Sequence, residues 1–363
     1  MTGKINLPAH PRILVITLRR LGDVLLTTPL IRSIRRGFPG ATIDVLVFRG
    51  SEAMLGGNPD VDAVITVAER SAVGETARLV GKLFRRYDLA VSTQAGDRPT
   101  LLALLCGRLR IGLVPRPRET GASWKRQVHH IAVVPEPDIH RVTQLMTIAG
   151  ALDLKSQAEL VPPRGADTLE QAPRRPYAVL HASPLYPYKR WTDAGWRELA
   201  RGLGQRGLSV VATEGPDPAE TAYLDRLWGA AATPVTRLAL EWSALAVLLE
   251  GAAVYVGPDT STTHLAAASG CPTIALYGPT SPRLIGPWPV GGLAQPWDHA
   301  GRVQNRGNVW VVQNPLPCLP CEKLGCEGHL ASFSRCMDEL PAAQVLAVAD
   351  RVLKKAGLAQ TRA

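Results

Sequence analysis

Short β-branched runs alternate with stretches of helical spacing along nearly the whole chain. Residues 13–17 (ILVIT) read as a strand, and Leu25, Leu26, Leu30, Ile31 and Ile34 then recur on one helical face. Pro29 falls inside that pattern, so either the helix begins near Thr28 with Pro29 in its first turn or a longer helix bends there. Gly37 and Pro39 end it, and residues 42–48 (TIDVLVF) form the next strand, so the chain opens as β-α-β. Strands are expected at 63–67, 89–92 and 110–113, with helices at 77–86, 100–106 and 140–152. The rhythm restarts with a strand at 177–182, helix 193–205, strand 208–213, and helices 218–228 and 243–250. Residues 254–256 make a strand stopped by Gly257 and Pro258; a small-residue helix over 264–269 ends at Gly270, and 271–277 is another buried strand. A helix over 341–357 closes the chain. Strands alternating with helices predict an α/β protein built on parallel sheets.

With 363 residues there is room for two such domains, each with its own core. The expected division is 1–160, a Pro- and charge-rich linker at 161–176, a second domain at 177–340 with a cysteine-rich segment at 318–336, and a helix and tail at 341–363. No apolar run has the length of a membrane span, and the first residues lack the apolar core of a signal peptide, so a cytoplasmic protein is expected. The net charge is +10 and uneven: residues 1–160 carry 22 basic against 14 acidic side chains, and residues 161–363 carry 19 against 17. A basic first half fits nucleic acid, an anionic membrane surface, a phosphorylated glycolipid, or simply a solubilising surface. Zinc-finger and RNP patterns and a continuous basic helix are all missing, which disfavours nucleic acid. The chain also has no G-x-G-x-x-G and no P-loop, which argues against a dinucleotide site near the start and against P-loop chemistry.

Several polar groups fall where strands should end. Asp259 to Thr263 place a carboxylate and hydroxyls at a helix start, where they either cap the helix or help hold a phosphate. Asp23 stands where the first helix begins, as an N-cap or as a general base able to take a proton from an attacking hydroxyl. Lys189, next to Trp191, can neutralise a diphosphate or can be an ordinary surface lysine. The arginine-rich stretch 108–126, with Arg116 and Arg118 among prolines and glycines, has the composition of an exposed loop, able to cradle phosphates or only to meet solvent. Four of the six cysteines, Cys318, Cys321, Cys326 and Cys336, fall in one run. In a reducing compartment that spacing favours a metal over disulfides, zinc by default, with metal-free structural thiols as the alternative.

Three of these stretches together carry a family resemblance. Arg19, Gly22, Asp23, Leu25, Thr27 and Pro29, then Lys189-Arg190-Trp191, then Asp259-Thr260 with His264 and Gly278-Pro279-Thr280 resemble the signatures of glycosyltransferase family 9, the ADP-heptose:lipopolysaccharide heptosyltransferases. The resemblance implies the GT-B fold, two Rossmann-like domains facing across a cleft, and an inverting transfer from ADP-L-glycero-D-manno-heptose to a sugar hydroxyl of the lipopolysaccharide inner core. It implies Asp23 as catalytic base and Lys189 at the diphosphate. It places Glu220, Leu240, Asp259, Thr260, Ser261, Thr262, His264, Gly278 and Thr280 with Lys189 around the nucleotide-sugar, and Arg19, Gly22, Arg116 and Arg118 at the acceptor. No cofactor is expected in the chemistry, and iron joins zinc as a structural metal for the cysteine run. Peripheral contact with the inner face of the cytoplasmic membrane follows from such an acceptor, and nucleic acid is not an expected partner. The spacing from His181 to Lys189 is most similar to the heptosyltransferase III subgroup. The chain departs from the family pattern at Ser261, Thr262 and Thr263, and at Ser183-Pro184-Leu185, where that subgroup has Thr-Ser-Arg. Two alternatives stand beside this reading: a family member with a protein or other glycan acceptor, and a non-catalytic binding protein for anionic glycolipids on the same scaffold.

Overall fold

A computed structural model describes residues 6–358 apart from 71, 166, 167, 170 and 171. The chain divides into two compact units, Met1–Pro163 and Arg164–Ala363. In the first, β1 (Arg12–Thr17) leads through α1 (Leu21–Leu25) and α2 (Thr28–Gly37) to β2 (Thr42–Phe48) and β3 (Ala63–Val67). Then come α3 (Val73–Leu83), β4 (Tyr87–Ser92), α4 (Asp97–Cys106), β5 (Gly107–Leu113), α5 (Ala122–Val128), β6 (Ile131–Val133) and α6 (Arg141–Ala151). The sheet runs β3-β2-β1-β4-β5-β6, with every pair parallel. This is the doubly wound order, whose ligand crevice lies at the carboxyl ends of the two strands where winding reverses, here β1 and β4. β1 reads as a continuous apolar run because helices cover both faces: Ile13 to Ile16 are fully buried.

The second unit repeats the plan. Its elements are β7 (Tyr177–Leu180), α7 (Asp193–Gln205), β8 (Ser209–Glu214), α8 (Pro218–Gly229), β9 (Val235–Ala239), α9 (Trp242–Glu250) and β10 (Val254–Pro258). They continue with α10 (Ser261–Ala268), β11 (Thr273–Leu276), α11 (Pro282–Ile285), β12 (Val303–Arg306), β13 (Val309–Val312), α12 (Arg335–Asp338) and α13 (Ala342–Lys355). The order is β12-β13-β11-β10-β7-β8-β9; β12 alone is antiparallel, and β7 and β10 flank the reversal. Trp191 and Trp196 form an edge-to-face pair at 5.1 Å inside this core, and Trp191 Nε1 donates to Leu340 O at 2.9 Å, tying the segment before α7 to the one before α13.

Several sequence expectations need correction. Of the two readings of Pro29, the shorter helix holds: α2 starts at Thr28 with the proline in its first turn, where no helical donor is lost. The helix expected at 77–86 lies earlier, at Val73–Leu83, because the chain turns at Arg85 (φ 48°) to enter β4. The stretch 108–126 is not one loop. Arg108 and Arg110 lie on β5, and Lys125 and Arg126 on α5, which leaves the residues between Leu113 and Ala122, Arg116 and Arg118 among them, as the exposed turn. β10 runs on through Gly257 and Pro258 instead of stopping before them. Residues 166, 167, 170 and 171 of the expected linker, and 359–363 of the expected tail, lie outside the described residues. Among the described residues no helix is long and apolar enough to cross a membrane.

Candidate active site

In the second unit the expected nucleotide-sugar residues collect along one edge of the sheet. Lys189 follows β7, Glu220 follows β8, Leu240 follows β9, Asp259 to His264 follow β10, and Gly278 and Thr280 follow β11. At the centre, Lys189 Nζ donates to Asp259 Oδ2 at 2.5 Å and to Asp259 O at 3.3 Å. Tyr277 Oη donates to Asp259 Oδ1 at 3.3 Å and His264 Nε2 lies 3.8 Å from the same oxygen. The Asp259 side chain is 7% exposed. Burial alone would raise its pKa, but the charges of Lys189 and His264 and hydrogen bonds from Lys189 and Thr280 hold it below the usual carboxylate range. Burial likewise works against the Lys189 charge, and Asp259 more than offsets it, so the ammonium is held above its ordinary range.

Thr260, not Asp259, caps α10: its side chain accepts from Thr263 N–H. That leaves the Asp259 carboxylate to the lysine. Thr262, Thr263 and His264 are buried, and Ser261 opens the helix. Glu220 sits in the first turn of α8 and accepts from the Gly215 amide; burial, with Glu214 and Asp217 nearby, raises its pKa. Leu240 is half-buried just past β9. The side chains that contact the Lys189–Asp259 pair are Tyr277 and His264, not Glu220 or Leu240. Tyr277 opens the Tyr277-Gly278-Pro279-Thr280 motif that carries the resemblance, but sequence reasoning gives it no role at the site.

Gly278 has a packing reason for being glycine. A Cβ there would fall 2.8 Å from Met337 Cγ and 3.3 Å from Cys336 Sγ. The cysteine run therefore lies under the 278–280 turn, and Glu322 N–H donates to Pro279 O at 2.9 Å from the same side. Burial, then the neighbouring Cys321, Cys326 and Cys318, push the Cys336 thiol up to about 12. Among the described residues no group of three or more His, Cys, Asp or Glu is placed to hold a metal ion, so the expected zinc or iron finds no formed cage here. What the run visibly does is buttress the turn.

In the first unit Asp23 is not an N-cap. α1 starts at Leu21 after Arg20, which puts Asp23 in the first turn of a five-residue helix, just past β1 and beside the sheet's reversal point. Its Oδ1 lies 3.8 Å from Nε of Arg141, a residue that sequence reasoning passed over. Arg141 is 8% exposed and its Nη2 donates to Thr93 O at 2.9 Å, immediately after β4. One guanidinium thus spans the ends of the two strands that flank the reversal. Burial lowers its pKa to about 10, against the pull of Asp23 and with Arg19 adding to the lowering. A buried arginine at the start of α6, where a helix dipole disfavours a cation, was the available signal. Of the expected acceptor residues, Gly22 is buried and Arg19, Arg116 and Arg118 are exposed, Arg118 with a left-handed backbone (φ 75°).

Two histidines, the buried His129 and the partly buried His181, set an acid limit on stability. Burial lowers His181, hydrogen-bonded to Thr213 Oγ1 at 2.8 Å, to about 4; burial, then Arg110 and His130, lower His129 to about 4. Unfolded, both would bind a proton near pH 6.5, so the unfolded state gains protons first and stability falls as pH drops from about 6.5 to 4. The loss should reach roughly 3 kcal/mol per histidine. Urea unfolding of wild type and His181→Gln at pH 7 and pH 4.5 checks this. The variant should show a distinctly shallower fall, and equal slopes would remove His181 from the account.

Comparison with known proteins identifies the chain's relatives. A family model described as "Glycosyltransferase family 9 (heptosyltransferase)" matches residues 76–292. The chain is 30% identical over 351 residues to lipopolysaccharide heptosyltransferase 1 of Pseudomonas aeruginosa, covering 92% of this chain and 93% of the relative. It is 28% identical over 286 residues to lipopolysaccharide heptosyltransferase 3 of Escherichia coli, covering 74% and 83%. Among solved structures, E. coli heptosyltransferase WaaC with ADP superposes with a TM-score of 0.71 at 22% identity, covering 94% of this chain and 99% of that one. The fold is GT-B. With more than half of its length inside the family model and a 30% identical relative matched nearly end to end, the chain belongs to glycosyltransferase family 9.

Proposed function

We propose that this protein transfers heptose from ADP-L-glycero-D-manno-heptose to a sugar hydroxyl of the lipopolysaccharide inner core, with inversion at the anomeric carbon. The observation that carries this is the buried Lys189–Asp259 pair at the reversal point of the second sheet, next to the start of α10. A diphosphate placed there meets the ammonium and the first-turn amides of a capped helix, both of which gain strength as the leaving ADP develops charge. The names of the relatives, lipopolysaccharide heptosyltransferases 1 and 3, and the ADP in the WaaC structure support the donor and acceptor classes. Asp23 takes the proton of the acceptor hydroxyl as it attacks the anomeric carbon, and the C–O bond to the ADP breaks with its electron pair leaving on the diphosphate.

In this mechanism Lys189 and α10, rather than a divalent ion, bear the diphosphate charge. A transfer assay with ADP-heptose and truncated core acceptors should therefore show turnover that survives EDTA, with circular dichroism before and after chelation confirming an intact fold. Activity lost with the fold intact and restored by Mg²⁺ would contradict the charge assignment. No transfer to any core acceptor would contradict the function.

A further inference from the structure

Among the described residues of the first unit, the large hydrophobic side chains left exposed are Phe84 (56%), Leu101 (47%) and Leu104 (38%), and all three fall at one place. From Leu101 onward α4 is apolar for six residues, more than a full turn, so it cannot hide them all against one sheet. Leu102, Ala103 and Cys106 turn inward to the core, while Leu101 and Leu104 face out. Arg85 N–H donates to Leu105 O at 2.9 Å, which sets Phe84 beside the last turn of α4. An isolated exposed leucine is ordinary; the gathering of these three in one patch points to a partner. Basic side chains rim the patch. Arg78 and Lys82 stand one turn apart on α3, which packs against α4, and Arg85, Arg86 and Arg108 follow the ends of the two helices; all five are exposed. Over residues 78–108 six basic side chains stand against two acidic ones. Both carboxylates are engaged: Asp88 accepts from the Arg12 amide at 2.9 Å with Arg108 3.7 Å away, and Asp97 pairs with Lys125 at 2.7 Å.

We propose that this outer face of α3 and α4 docks on an anionic lipid bilayer, with Phe84, Leu101 and Leu104 entering the headgroup region and the surrounding cations meeting lipid phosphates. The membrane contact expected from sequence followed only from the nature of the acceptor; α3 and α4 give it a place on the molecule. Charge complementarity selects this occupant. A second copy of the chain, docked symmetrically through the same face, would bring like charges together. A nucleic acid would use the cations and leave the apolar groups in water. An anionic bilayer has a charged surface over an apolar layer and so matches both parts of the face.

Flotation of the full chain with vesicles that hold no lipopolysaccharide tests this, and its result stands even if the protein transfers no heptose. Wild type should bind phosphatidylglycerol vesicles, and pure phosphatidylcholine vesicles at least about tenfold more weakly. Two sets of substitutions divide the face: Leu101→Gln with Leu104→Gln, and Lys82→Gln with Arg85→Gln and Arg86→Gln. Each should weaken binding to the anionic vesicles about tenfold or more, with the melting temperature unchanged because all five side chains are exposed. Removing three exposed charges from α13, by Arg351→Gln, Lys354→Gln and Lys355→Gln, should leave the affinity near wild type. Full affinity in the leucine variant overturns the proposal, since a basic protein adsorbs to anionic lipid through charge alone. So does an equal loss in the α13 variant. A wild-type dimer in light scattering that the leucine substitutions dissociate also overturns it, making the face a contact between copies. Should a variant fail to fold, hydrogen exchange of wild type with and without the anionic vesicles decides the matter. Slowed exchange at residues 84–86 and 101–105 supports the docking face; slowing confined to other segments, or none, overturns it.

Discussion

Asp23→Asn is expected to lower kcat by roughly 10²–10⁴ while leaving ADP affinity near the wild-type value. Asparagine matches aspartate in size, and Asp23 caps nothing, so no helix start is lost with the charge. What disappears is the proton acceptor, together with the counter-charge 3.8 Å from Arg141. The second loss makes some fall in stability unavoidable, since a buried guanidinium is left with only its bond to Thr93 O. Turnover must therefore be measured at saturating substrates and well below the variant's melting temperature. A variant keeping more than about a tenth of wild-type kcat under those conditions would show that the base lies elsewhere.

The Lys189–Asp259 pair carries the second large effect. Removing the lysine with Lys189→Met leaves a buried carboxylate without its ammonium partner, which should cost about 3–5 kcal/mol of stability. The double change Lys189→Met, Asp259→Asn should recover most of it, because neither charge is then left alone. ADP binding should behave differently: about 1.5–3 kcal/mol is lost in both variants, since the diphosphate misses the ammonium in each. Calorimetric unfolding and ADP titration of the single and double variants separate the two roles. Full recovery of ADP affinity in the double variant would reduce Lys189 to a partner for Asp259. The sign of the pH dependence follows from the shifts. The Asp259 contribution is present above the ordinary carboxylate pKa of 3.8 and fades as pH falls through its lowered folded value; the Lys189 contribution is present below 10.5 and fades as pH rises through its raised one. Between those limits the pair should stabilise the fold fully.

Much of this site was legible in sequence because turn chemistry marks strand ends. Gly-Pro after a β-branched run, a hydroxyl opening a helix, and a lysine beside a buried tryptophan are local signals, and they located Lys189, Asp259 and Gly278. The pairing of Lys189 with Asp259 was not legible. Seventy residues of chain separate them, and only the adjacency of β7 and β10 brings them together. The same holds for Arg141 and Asp23. β5 was legible from Arg110 onward but not in its first three residues: the arginines grouped Arg108 with the following loop, whereas Arg110 Nε donates to Val128 O at 2.6 Å and lets a charged side chain sit on a strand. β6, β9, β12 and β13 escaped notice because they are short and three of them, β6, β9 and β12, are edge strands, which leaves little apolar pattern to read.

The repeated strand order has a consequence for how such a protein diversifies. Each six-strand parallel array is complete within its own half of the chain, with its own core and its own reversal point. On the proposed mechanism, a substitution near Asp23 changes how the acceptor hydroxyl is handled without disturbing the neighbours of Asp259, and a change near Lys189 does the converse. Lineages can then inherit a nucleotide grip intact while the other half explores new glycans, which gives acceptor choice and donor choice separate evolutionary clocks.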